Sequence, residues 1–150
     1  MRFLSLILAL SSFSALACPN LAGQYAVCRS TTGATSGSSD VLVSQRIENG
    51  VTIYSITSTD DETGERDTSE FPADGQIYNN TEVQDGMEIT TSTMIACAGN
   101  ALNMVSSSTV DSQPLMNLNM LFTRTSSNSV TQEISGDIFG QPIQDTVICQ

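Results

Sequence analysis

Apolar and polar residues alternate along much of the chain in short runs, and turn residues separate one run from the next. The runs are rich in Thr, Val, Ile and Tyr, which favour strands, and a period of two residues is typical of a half-buried strand. Beside two hairpins, the alternation predicts strands at residues 23–29, 76–83, 115–124, 130–139 and 143–149. The chain is therefore predicted to be all-β.

The first hairpin covers residues 40–58 and turns at Asn49-Gly50. This dipeptide favours a two-residue type I′ turn, because both central residues of that turn adopt positive φ. Counting outwards from the turn places three pairs on one face, which is predicted to face the core: Val43 with Ile56, Gln45 with Tyr54, and Ile47 with Thr52.

The second hairpin covers residues 87–110 and turns at Gly99-Asn100. The same counting puts five pairs on one face: Cys97 with Leu102, Ile95 with Met104, Thr93 with Ser106, Thr91 with Ser108, and Ile89 with Val110. Four hydroxyl residues therefore lie in the middle of a face that is apolar at both ends.

About eight to ten strands with short connections predict an antiparallel meander that closes into a barrel, and a β-sandwich is the alternative. Residues 30–39 are predicted as a Gly/Ser/Thr-rich loop, and residues 59–74 as an acidic excursion with room for a short strand. In a closed meander the first strand lies beside the last. We see no second domain, so residues 18–150 are predicted to form a single barrel.

Residues 1–17 have the three parts of a secretory signal peptide. Arg2 provides the positive start, an apolar run follows, and Ala15-Leu16-Ala17 matches the cleavage pattern. The apolar run is too short to span a bilayer, and no later segment is apolar enough to do so. The protein is therefore predicted to be secreted or periplasmic. A lipid anchor on Cys18, the first residue after cleavage, is the alternative.

Four cysteines remain after cleavage, namely Cys18, Cys28, Cys97 and Cys149. An even set in an exported chain predicts two disulfides. Barrel closure would bring Cys18 near Cys149, but Cys97 also falls at a strand end and competes for Cys149. The pairing is therefore left open between the three possibilities.

The charge of the chain limits its partners. All 16 acidic residues lie after the signal peptide with four arginines, no lysine and no histidine, which gives the exported chain a net charge of −12. A surface this negative repels phosphate backbones and anionic lipid, so nucleic acid and membrane surfaces are not expected partners. A small molecule or another protein is expected instead.

Enzymatic chemistry is predicted to be absent. Without His or Lys, the common nucleophile–base arrangements cannot form. The cysteines lack C-x-x-C spacing, and the acidic run 60–67 fails the calcium-loop template, so neither a metal nor a cofactor is expected. The remaining enzymatic hypothesis is a small hydrolase with a carboxylate pair such as Glu88 and Glu133, which would need to lie roughly 5–10 Å apart.

Leu21-Ala22-Gly23-Gln24-Tyr25 resembles the Gly-x-Trp/Tyr opening of calycins, the group of lipocalins and avidins. This resemblance implies a small secreted meander barrel. It also implies that Gly23 and Tyr25 lie across the closed end of the barrel, beneath Arg124 from a late strand. The chain has no Trp, and the other lipocalin signature segments are not found.

The central hydroxyl residues of the second hairpin indicate a partly wet pocket inside the barrel. Methionine and phenylalanine would supply an adaptable apolar wall, and the candidate pocket residues are Thr91, Thr93, Met104, Ser106, Met116, Met120 and Phe122. The alternative is that the methionines fill core gaps and that the Thr/Ser patch faces solvent.

Three functions follow from these patterns. The first is a non-enzymatic, calycin-like binding protein with a small amphipathic ligand in the barrel, which requires an enclosed cavity bordered by Thr91, Thr93, Ser106 and Met120. The second is an interaction or inhibitor protein, which requires a packed barrel and an acidic loop of defined shape at residues 60–74. The third is the carboxylate hydrolase, which requires two carboxylates in one cleft.

Overall fold

A computed structural model describes residues 18–33 and 37–150, so the predicted signal peptide lies outside the described residues. The described chain forms ten strands and no helix. They are β1 Gly23–Ser30, β2 Ser38–Glu48, β3 Val51–Asp60, β4 Arg66–Pro72, β5 Ile77–Gln84, β6 Met87–Ala98, β7 Ala101–Val110, β8 Gln113–Ser126, β9 Ser129–Ile138 and β10 Gln141–Cys149.

The ten strands form one antiparallel meander sheet, which confirms the predicted fold class. The order across the sheet is β4-β3-β2-β1-β10-β9-β8-β7-β6-β5. The first strand lies beside the last, as expected of a meander that curls on itself. The sheet edges are β4 and β5, which follow one another in the chain, so the curled sheet is a half-barrel that stays unpaired between them.

Both predicted hairpin registers are confirmed. β2 and β3 pair Val43 with Ile56 and Gln45 with Tyr54 around the Asn49-Gly50 turn. β6 and β7 show all five predicted pairs: Cys97 with Leu102, Ile95 with Met104, Thr93 with Ser106, Thr91 with Ser108, and Ile89 with Val110. Asn49 and Gly50 both have positive φ, of 50° and 81°, as the type I′ turn requires.

Two details differ from the sequence-based expectation. The acidic excursion contains a full strand, β4, which pairs with β3 from Ile53 to Thr59. Ile47, predicted on the core face of its hairpin, is 77% exposed. It lies one residue from the end of β2, where the strand runs past the packed interior.

The largest fully buried side chains of the described chain are two tyrosines, Tyr25 on β1 and Tyr54 on β3. Tyr25 and Tyr54 are 1% and 0% exposed. Each hydroxyl donates to a carbonyl of the segment that precedes β1: Tyr25 Oη to Leu21 O at 2.9 Å, and Tyr54 Oη to Pro19 O at 2.6 Å. This segment therefore covers one end of the half-barrel, and the tyrosines hold it in place.

Burial of Tyr54 leads to a prediction at alkaline pH. It raises the pKa of Tyr54 from 10.0 to about 12, so the unfolded chain loses the proton first as the pH rises. The stabilisation is complete below pH 10 and is lost between pH 10 and about 12. Tyr54→Phe should lower the free energy of unfolding by about 1–3 kcal/mol at neutral pH, because the Pro19 carbonyl loses its hydrogen-bond donor. The free energy of unfolding of this variant, measured with urea, should also fall less steeply between pH 10 and about 12 than that of the parent protein. An equally steep fall in both proteins would contradict a raised pKa of Tyr54 in the folded state.

Two disulfides link the described cysteines, which is typical of an extracellular or otherwise oxidising compartment. Cys18 bonds to Cys97, and Cys28 bonds to Cys149. The pairing that the sequence left open is therefore resolved, and Cys97 does not compete for Cys149. The last three residues of β1 meet the end of β10, so Cys28 is the residue directly opposite Cys149. Because the Cys18 sulfur is in a disulfide, it is not available for a lipid anchor.

Candidate ligand cleft

The gap between the two sheet edges is the structural feature most relevant to function, and we call it the seam. β4 and β5 each pair on one side only. The linker between them crosses one end of the seam, where Ala73 N donates to Thr52 O on β3 and Gly75 N donates to Ile95 O on β6. The seam is therefore closed at the linker and open towards the turns that precede β4 and follow β5.

A cleft of about 420 Å³ lies in the seam next to the linker. Its lining comes from both edges and from the inner face of β6, and consists of Glu70, Phe71, Pro72, Tyr78, Asn79, Asn80, Thr91, Thr93 and Ile95. This volume falls within the roughly 300–1,000 Å³ that small-molecule sites occupy. The cleft therefore has the size of a binding site for a small molecule.

The sheet register determines which side chains point into the half-barrel at the cleft. Phe71 pairs with the buried Tyr54 and packs against the core. Across the seam, Tyr78 pairs with Thr93 and Asn80 pairs with Thr91. Paired residues share a face of the sheet, so the inner wall of the cleft carries both aromatic and polar groups.

Two rows of hydroxyl groups extend from the cleft into the half-barrel. Thr91 Oγ1 lies 3.0 Å from Ser108 Oγ, and Thr93 Oγ1 lies 3.5 Å from Ser106 Oγ, the latter at the long limit for a hydrogen bond. Ser106 and Ser108 are 8% and 6% exposed. The Thr/Ser patch therefore faces inwards, and not towards solvent as in the alternative. One hydroxyl hydrogen in each pair is enough for the pair, so the other is free to orient towards a ligand.

Charged and phenolic groups on the rim hold the edges in shape. Arg46 donates two hydrogen bonds to the carboxylate of Glu70, at 2.6 and 3.0 Å, and these bonds lower the pKa of Glu70. Tyr78 Oη donates to Asp74 Oδ2 at 2.5 Å, which lowers the pKa of Asp74 and raises that of Tyr78. β4 is thereby tied to β2, and β5 to the linker.

The seven predicted pocket residues divide between the cleft and the packing behind it. Thr91 and Thr93 line the cleft, whereas Met104 and Ser106 are buried on β7. Met116, Met120 and Phe122 are half-buried on β8, and the last two pack against the core. The methionine wall therefore lies behind the hydroxyl rows, outside the cleft lining.

The three residues of the calycin-like opening meet at the covered end of the half-barrel. Arg124 donates to the carbonyls of Asn20 and Ala22, both at 3.1 Å. Burial raises the pKa of Tyr25, and the nearby Arg124 charge opposes that rise. A Cβ on Gly23 would lie 3.0 Å from the Tyr25 hydroxyl, so glycine leaves room for the tyrosine ring. Membership of the calycins stays a prediction.

A second hollow lies on the other side of the linker. It has a volume of about 580 Å³ and is lined by turns, the linker and the half-buried Cys18–Cys97 disulfide, namely Cys18, Gln45, Ile47, Gly50, Thr52, Ala73, Asp74, Gly75, Ala96 and Cys97. None of the residues of the hydroxyl rows is part of its lining. We therefore take the seam cleft as the candidate site.

The acidic turn before β4 has a defined shape. Asp60 Oδ1 accepts hydrogen bonds from Glu62 N, Thr63 N and Thr63 Oγ1, which lower the pKa of Asp60. Gly64 N donates back to Asp60 O at 2.9 Å. An ordered exposed turn is what the interaction hypothesis requires, but use of this turn by a protein partner stays a prediction.

The carboxylate pair suggested for hydrolysis does not come together. Through the register of β9, β8 and β7, Glu133 is level with Ala96 on β6, eight residues from Glu88. At about 3.4 Å per residue this offset alone is roughly 27 Å, far beyond the separation that glycosidases use. Within residues 18–33 and 37–150, no three His, Cys, Asp or Glu side chains group as metal ligands, and no helix could span a membrane.

Several cleft residues were not predicted from the sequence. They are Glu70, Phe71, Pro72, Tyr78, Asn79 and Asn80, all on the two edge strands. The available signal was the acidic excursion: its Phe71-Pro72 end is the only apolar part of residues 59–72, and an apolar strand end next to a turn indicates contact with the core.

Comparison with known proteins adds little to this picture. No family model and no curated protein matches the chain. Among solved structures, the chain is similar to secretory abundant heat soluble protein 4 from Ramazzottius varieornatus, with 14% identity, a TM-score of 0.46, and coverage of 73% of this chain and 67% of that chain. The functional proposal therefore rests on the geometry of the cleft.

Proposed function

We propose that this is an exported, non-enzymatic binding protein that holds a small amphipathic molecule in the seam cleft. The observation that carries the proposal is a cleft of about 420 Å³ between two sheet edges that do not pair. Export is supported by the predicted signal peptide and by the two disulfides.

The amphipathic character of the ligand follows from the two sides of the cleft. Phe71, Pro72 and Ile95 offer apolar surface near the linker, whereas Thr91 and Thr93 offer hydroxyl groups. A purely apolar ligand would leave these hydroxyls without water or a partner, which is costly in a partly buried site. A molecule with an apolar body and a polar group satisfies both sides.

The experiment uses a neutral fluorescent amphiphile, N-phenyl-1-naphthylamine, whose emission rises on transfer to an apolar site. We expect saturable binding to the folded, oxidised protein. Thr93→Phe should abolish it, because the new ring fills the inner wall of the cleft, and Thr93→Val should weaken it by about three- to tenfold through loss of one hydroxyl.

The matched control is Thr90→Phe, the same change on the same strand. Thr90 lies on the opposite face, where its hydroxyl pairs with that of Thr81, so this variant should bind the dye as the parent protein does. Equal loss in both variants, or no saturable binding at all, would contradict the proposal. Circular dichroism establishes that each variant retains the sheet.

A further inference from the structure

Two carboxylates flank the seam beyond the cleft, on the side that is open. Asp67 lies on β4 four residues before Phe71, and Glu82 lies on β5 four residues after Tyr78. Because side chains alternate along a strand, residues four apart share a face. Asp67 and Glu82 therefore continue the inner walls of the cleft, one on each edge, about 14 Å further towards the open end.

Their pairing partners confirm that they lie on the inner face. Asp67 pairs with Ser58 on β3, and Glu82 pairs with Ile89 on β6. Both side chains are exposed, and Asp67 accepts only neutral local donors, the amide of Thr68 and the hydroxyl of Ser69. Among the described residues, neither carboxylate forms a salt bridge with an arginine.

Positive side chains are directed elsewhere. Of the four arginines in the described residues, none lines the cleft. Arg46 is held by Glu70 and Glu48, and Arg124 donates to backbone carbonyls at the covered end. Arg29 and Arg66 are exposed, and each alternates with inward-facing neighbours on its strand. The chain has no lysine, so among the described residues no basic side chain lines the cleft from the inner walls of the seam.

We infer that the ligand of the cleft is a cationic amphiphile, with its apolar part against Phe71 and Ile95 and its positive group between Asp67 and Glu82. This inference rests on the proposed function and names its ligand class. The cleft supplies the apolar contact, and the two carboxylates supply the preference for a positive charge. The net charge of −12 on the predicted exported chain adds a long-range field that attracts cations.

The test compares two amphiphiles that share an alkyl chain and differ in charge, decyltrimethylammonium and decyl sulfate. Each is used below its micellar concentration to displace N-phenyl-1-naphthylamine from the protein. We expect the cation to displace the dye at a concentration at least about tenfold lower than the anion, since the two carboxylates attract one and repel the other. Added salt should narrow this difference by screening exposed charges.

Two variants separate the seam carboxylates from the overall charge. Asp67→Asn combined with Glu82→Gln should weaken binding of the cation by roughly four- to twenty-fivefold, at about two- to fivefold for each exposed carboxylate. Dye affinity should not change. Glu133→Gln is the control, because Glu133 is exposed on β9 far from the seam, and it should leave the preference intact.

The outcomes distinguish this inference from the function beneath it. Failure of the neutral dye to bind would overturn the proposed function and the inference together. Dye binding with equal displacement by both amphiphiles, or with better displacement by the anion, would overturn the inference alone. The same is true if the double variant keeps the full preference for the cation.

Discussion

Gly136→Ala is expected to destabilise the protein by about 3–5 kcal/mol, enough to unfold much of a domain of this size. Gly136 has φ of 149° within β9. An added Cβ would overlap the carbonyl oxygen of Asn117 and would lie 3.0 Å from Leu118 Cα. The obstacle is the backbone of the neighbouring strand, which cannot rotate away as a side chain can. Urea unfolding followed by circular dichroism measures the loss.

The control for this substitution is Gly140→Ala in the turn between β9 and β10. Gly140 also has positive φ, of 71°, but nothing lies within 4 Å of the added Cβ. It should cost only about 1–2 kcal/mol of backbone strain. If Gly136→Ala lowers the free energy of unfolding by no more than Gly140→Ala does, β8 and β9 do not approach each other as closely at Gly136 as the structure shows.

Removal of the Cys28–Cys149 disulfide, by Ser at both positions, is the second large effect expected. The bond joins residues 121 positions apart, and loss of such a link costs about 2–5 kcal/mol in a small exported domain. It also joins the two halves of the meander at the short β1–β10 ladder, where Cys28 pairs directly with Cys149. Thermal unfolding of the oxidised double variant measures the change.

The other disulfide provides a comparison, because its expected loop-closure contribution to stability is nearly the same. Cys18–Cys97 spans 79 positions, so loop closure alone predicts a cost only about 0.4 kcal/mol smaller. Removal of Cys28–Cys149 should therefore lower the free energy of unfolding by more than removal of Cys18–Cys97 does, and the difference should exceed about 0.4 kcal/mol. The reason is that it also weakens the β1–β10 junction. Equal costs would show that the junction holds without the bond.

The hairpins and their faces could be predicted because the information is local. Asn49-Gly50 and Gly99-Asn100 each fix a turn, and the turn fixes every pair that follows. The same counting places the hydroxyl rows on one face of the hairpin but leaves open whether that face is inward, which the burial of Ser106 and Ser108 decides. The sequence alone is therefore enough to propose Thr91 and Thr93 as pocket residues, without knowledge of the strand order.

The cleft itself depends on non-local information. Closure of a meander at its first and last strands is the simplest expectation, yet the sheet opens between β4 and β5 in the middle of the chain. The acidic residues of 59–74 argued against a full strand such as β4, because carboxylates are rare in central strands. They are tolerated at an exposed edge, which is where β4 lies. Likewise, the cysteine pairing depends on how far β1 slides along β10, which no local pattern determines.

The central claim is that the seam between β4 and β5 is where a ligand binds. Its most direct test is an amide-resolved NMR titration of the oxidised protein with N-phenyl-1-naphthylamine. We predict shift changes centred on Phe71, Tyr78, Thr91 and Thr93, and none at the Cys18–Cys97 end. Shifts confined to that second hollow, or spread evenly over the sheet, would contradict the claim.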